Sequence, residues 1–65
     1  MNKRLKKIIH NYHLGNPIRT QDLNYAIPLL KQLVEIAFPI EKYRLMAQDA
    51  LRIVDTMEDW LEARK

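Results

Sequence analysis

The chain has 65 residues, 48% hydrophobic and 29% charged, with a formal net charge of +3, one glycine, three prolines and no cysteine. One domain is the most that length allows, and such a domain buries only about 60% of the surface its unfolded chain exposes. Without cysteine, disulfides and thiolate metal sites are excluded, so a reducing compartment fits and self-association is the remaining staple for a small core.

Few turn residues, no Asn-Gly signal and no period-two runs argue against a sheet and for an all-α fold. The first helix is expected over about residues 2–13. Met1, Leu5, Ile8 and Tyr12, with Ile9 beside them, form its apolar stripe, and Lys3, Lys6, Lys7, His10 and Asn11 fill the other side. Gly15 is placed to cap its C-terminus and Pro17 to prevent continuation.

The second helix is expected over about residues 21–37, with Thr20 as N-cap and Asp22 favourably near the positive helix end. Most of its circumference is apolar, leaving a narrow polar stripe through Asn24, Lys31, Gln32 and Glu35, which marks a central helix. Pro28 sits in that stripe and is expected to kink or split the helix.

The third helix is expected over about residues 39–63, with Pro39 in its first turn. Ile40, Tyr43, Ala47, Ala50, Val54, Met57 and Leu61 alternate steps of three and four, a heptad seam flanked by Met46, Ile53 and Trp60. Leu45 stands on the polar back face.

These elements predict a single domain, a three-helix up-down-up bundle with a long C-terminal helix completed by dimerisation. At 1.5 Å per residue the third helix would be roughly 37 Å long, against a diameter near 28 Å for a compact chain of this size. Met57, Trp60 and Leu61 would then extend past the second helix. Either the loop of residues 14–19 or another chain must cover them.

Charge placement favours the second chain. Residues 1–19 carry +5 and the rest −2. Lys3, Arg4, Lys6 and Lys7 sit at a helix start, while Asp55, Glu58, Asp59 and Glu62 sit near a helix end, each cluster against the helix dipole. An antiparallel homodimer through Ala47, Ala50, Val54, Met57, Trp60 and Leu61 would place each acidic end over the other basic start. The competing reading is that these charges are solvated faces contributing almost nothing.

Catalytic chemistry finds little support. His10 and His13 share a helix face but lack further ligands, and the carboxylates at three-residue spacing have no Glu-x-x-His beside them. There is no Gly-rich phosphate loop and no serine, and little room is expected for a pocket of about 300 Å³ or more. The chain is expected to be a small accessory protein, not an enzyme, with no cofactor, no metal and no small-molecule substrate.

Protein binding is the favoured function, as an inhibitor, adaptor or regulator, with Leu45 and Trp60 as contact candidates. The alternative is nonspecific nucleic-acid binding through Lys3, Arg4, Lys6, Lys7, His10 and Arg19. The stretch TQDLNYAIPLLKQLVEI suggests the first half of a helix-turn-helix, but no tight turn or polar reading helix follows. A basic amphipathic first helix on a membrane surface is the weakest option. No apolar run approaches the roughly 18 residues of a membrane span, and the start lacks a signal-peptide core, so a cytoplasmic protein is expected.

Overall fold

The computed structural model describes residues 2–65, which form three helices packed together without a strand. Helix α1 spans Lys3–Leu14, α2 spans Thr20–Ala37 and α3 spans Arg44–Glu62, with a short 3-10 helix at Glu41–Tyr43 leading into α3. Met1, a member of the expected apolar stripe, lies outside the described residues.

Helix α1 is closed at both ends by its own sequence. The Asn2 side chain accepts the Leu5 N–H at 2.7 Å, satisfying one of the free donors of the first turn. At the other end Gly15 takes φ 75, which costs a glycine nothing. Its N–H donates to the Tyr12 carbonyl at 3.1 Å and that of Asn16 to Asn11 at 3.0 Å, the double bond of a Schellman turn.

Helix α2 departs from expectation at its start. Thr20 is already helical and Arg19 is the cap, without a side-chain hydrogen bond. The Thr20 hydroxyl instead accepts Arg64 Nη1 at 3.2 Å, tying the start of α2 to the end of α3. The helix runs unbroken through Pro28, which is exposed, so its ring meets water and only one backbone bond is lost.

The largest correction concerns α3. Pro39 does not open it. The Phe38 N–H still donates to Val34 at 2.9 Å, and the chain then turns through Ile40, whose N–H donates to Ala37 at 3.0 Å. Arg44 Nε closes the corner on the Phe38 carbonyl at 3.3 Å. The 19 residues of α3 are therefore about 28 Å long and the 18 of α2 about 27 Å. The longest extent of the molecule is 35 Å. No overhang remains of the kind that the dimer model needed.

Because α2 accompanies α3 along its length, Ala47, Ala50, Val54 and Met57 are buried within their own chain. Their assignment to a dimer interface is thus corrected: this part of the heptad seam is occupied within the chain, while its first members, Ile40 and Tyr43, are exposed. The main core joins Leu5 and Ile8, loop residue Ile18, Leu23, Ala26, Ile27 and Leu30 of α2, and Val54 and Met57 of α3. Ile18 supplies part of the cover that was sought for Met57. No polar or charged residue is buried among those described. Towards the corner the buried positions are only Ala37, Ala47 and Ala50, so the core thins there.

Urea denaturation should show Leu30→Ala and Met57→Ala each losing about 2–5 kcal/mol, while Leu45→Asp stays within about 0.5 kcal/mol of the parent. Gly15→Ala should cost about 1–2 kcal/mol through its left-handed backbone alone, since a Cβ there meets nothing within 4 Å.

Candidate functional site

Three surfaces carry chemistry, and the lengths of the helices decide where they lie. Helix α1 has 12 residues, about 18 Å, and cannot line the full flank of the α2–α3 pair. Its first residues, Asn2 and Leu5, end beside Leu29, Gln32, Leu33 and Ile36 of α2, around a cleft of about 430 Å³.

Beyond that point the large side chains are left outside. Among the described residues, six of the nine exposed large apolar side chains fall between Ile36 and Met46: Ile36, Phe38, Ile40, Tyr43, Leu45 and Met46. Ile36 is 70% exposed and Leu45 is 78% exposed. The Arg44 guanidinium lies 5.7 Å from the Phe38 ring and the Lys42 amine 5.6 Å from the Tyr43 ring. Cations at such distances shelter part of an aromatic face without enclosing it.

Leu45 is thus as open as its place on the polar face implied. Ile36, Phe38, Ile40 and Met46 were not singled out as surface residues by sequence reasoning. A usable signal existed: Leu29, Leu33 and Ile36 form a stripe offset from the Leu23, Leu30 and Ala37 seam, and α1 is too short to cover all of it.

The basic residues divide into two groups. Lys3, Arg4, Lys7 and Arg19 line one cleft of about 430 Å³ together with Asp22. Arg4 Nη2 lies 3.1 Å from Asp22 Oδ1, and Arg19 Nε lies 3.6 Å from Oδ2 of the same carboxylate. The Arg4 guanidinium also sits 4.0 Å over the Tyr25 ring. Lys6 and His10 are exposed and stand outside this cleft.

Two of the four acids clustered near the end of α3 have partners within the chain: Lys31 Nζ reaches Glu58 at 3.0 Å and Lys65 Nζ reaches Glu62 at 3.1 Å. Glu58 and Glu62 thus need no second chain, while Asp55 and Asp59 have no ion-pair partner among the described residues. Among the described residues no three His, Asp or Glu side chains gather to hold a metal ion. No helix there is long and apolar enough to cross a membrane.

At the end opposite the corner, Trp60 is exposed but rests against Tyr12, with ring centroids 5.5 Å apart and planes at 41°. Leu61 packs partly against the main core. Around Trp60 opens a cleft of about 620 Å³. It is an open surface groove, larger than the pocket of about 300 Å³ for which the length of the chain promised little room, but not an enclosed cavity.

No protein-family model matches this chain, and no curated protein or solved structure was found similar to it.

Asp22→Asn should change stability by about 1 kcal/mol or less at physiological salt, since both arginines it meets are largely exposed. Urea titrations of the two proteins at matched ionic strength check this.

Proposed function

We propose that this chain is a non-enzymatic protein-interaction module, an inhibitor, adaptor or regulator that acts by burying its α2–α3 corner against another chain. In this reading the helices form an up-down-up bundle, and a second copy is the resting partner. The carrying observation is the concentration of exposed apolar side chains between Ile36 and Met46. Scattered single residues of this kind need no explanation, but six within eleven residues at one end of the bundle support an interaction surface there.

Two quantities support it. The accessible surface is 4916 Å², against about 4,400 Å² for an average monomer of 7.8 kDa. The charges within the corner, Glu35 and Glu41 against Lys42 and Arg44, cancel, so a second copy approaching the same face meets no net repulsion. The homodimer of this proposal is built on the corner, not on the α3 seam.

Sedimentation equilibrium at tens of micromolar should give a dimer for the parent. Ile36→Asp and Met46→Asp should each weaken it by more than about tenfold, since each would bury a charge in an apolar contact. Circular dichroism should report unchanged helix content. A parent chain that sediments as a monomer removes the second copy as partner.

The basic cleft favours a second reading, nonspecific nucleic-acid binding. Four cations share it with a single acid, and Lys3 and Lys7 have no ion-pair partner among the described residues. If the cleft takes phosphates, duplex DNA affinity should fall with salt at a log–log slope of about −2 to −4, and Lys3→Glu with Lys7→Glu should abolish it. No binding at low salt removes this reading.

A further inference from the structure

We infer that the cleft between Tyr12 and Trp60 binds a small organic anion with a flat aromatic body. This site lies at the open end of the bundle, away from the corner, and goes beyond the interaction reading. It is an open groove of about 620 Å³, room enough for a small molecule held on one face.

The cleft has the parts such a ligand needs. Ile18, itself buried, contributes an apolar lining. The rings of Tyr12 and Trp60 stand at 41° and not in parallel, so neither gives its whole face to the other. Trp60 keeps 36% of its surface exposed, which leaves indole surface for stacking by a ligand ring. His13 meets the Tyr12 ring edge-on, with centroids 5.5 Å apart, and completes the aromatic wall.

Charge selects the class. Arg64 is the one charged residue of the lining, and no Asp or Glu is part of it. The Arg64 guanidinium is steadied by one hydrogen bond, Nη1 to Thr20 Oγ1 at 3.2 Å, which uses one of five N–H donors. The remaining donors suit a carboxylate, with the fork geometry that makes such pairs strong.

Carbonyls at the ends of α1 and α3 oppose an anion through their dipoles, but several are already spoken for. Gly15 and Asn16 cap those of Tyr12 and Asn11, and Ala63 and Arg64 cap those of Asp59 and Leu61. The positive start of α2, at Thr20, lies on the same side because Arg64 bridges to it.

The test is a nitrogen-15 NMR titration of the full chain with 2-naphthoate, and separately with its neutral analogue 2-naphthalenemethanol. Naphthoate should shift the Trp60 indole N–H and the amides of Gly15, Asn16 and Arg64, and should bind at least about tenfold more tightly than the alcohol. Arg64→Ala should weaken naphthoate about tenfold while leaving the alcohol unchanged. Thr20→Val removes the supporting hydrogen bond but keeps the guanidinium, and should hold naphthoate affinity within about threefold. Equal affinity for the two probes overturns the inference. So do shifts centred on residues 36–46, an equal loss of both probes in Arg64→Ala, or no shift at millimolar naphthoate.

Discussion

Helix α1 has 12 residues against 18 in α2 and 19 in α3, so it ends about 9 Å short of the pair it leans on. That deficit governs how the surface is divided. Where α1 is present, Leu5 and Ile8 reach the core, and Ile9 and Tyr12 pack against its edge. Where α1 stops, the flanks of α2 and α3 have nothing to meet. Ile36 and Met46 are exposed there although they continue apolar stripes that are covered farther along. The exposure of Ile36 and Met46 follows from one helix being too short, whereas Leu45 is outward on the polar face of α3 and Phe38 and Ile40 lie at the turn.

The alanines of the corner sharpen this division. Ala37, Ala47 and Ala50 are the buried residues there, and they bring little side-chain volume to the contact of α2 and α3. The large apolar side chains of this stretch, Ile36, Phe38, Ile40, Leu45 and Met46, are exposed instead. Most large buried side chains therefore belong to the other half, in Leu23, Leu30, Val54 and Met57. Removing a methylene from that half leaves a cavity with few neighbours able to collapse into it. The corner contributes less to holding the monomer, and its exposed groups are correspondingly free to serve a contact.

Much of this was legible from periodicity and punctuation. Gly15 as a left-handed cap, the Ala47–Ala50–Val54–Met57 seam and the outward Leu45 can all be read from spacing alone. What failed was the start of α3. Proline is well suited to a first helical turn, but Phe38 stays helical as the continuation of α2 and Pro39 falls in the turn itself. That shift shortened α3 and removed the overhang. A heptad seam states that a helix packs against it and does not state whose helix, so an error in length became an error in partner. Thr20 failed as a cap for a reason distant in sequence: its hydroxyl, already within the first turn, accepts from Arg64, which no local pattern reveals.

The charge asymmetry shows the same limit from another side. Read along the chain, a basic start and an acidic end look like two poles that need an external counterpart. In three dimensions long side chains reach across helices, so Lys31 meets Glu58 and Arg4 meets Asp22 without any second molecule. Such exposed pairs contribute little stability, and their effect is mainly to decide which charges remain unmatched. The surplus that survives is local: Lys3 and Lys7 beside a carboxylate already shared by two arginines. That excess is a local surplus of positive charge along the flank of α1, whereas the charges of the corner cancel and its large side chains are apolar. The flank and the corner of one short bundle thus differ in character, and the difference traces back to which residues α1 covers.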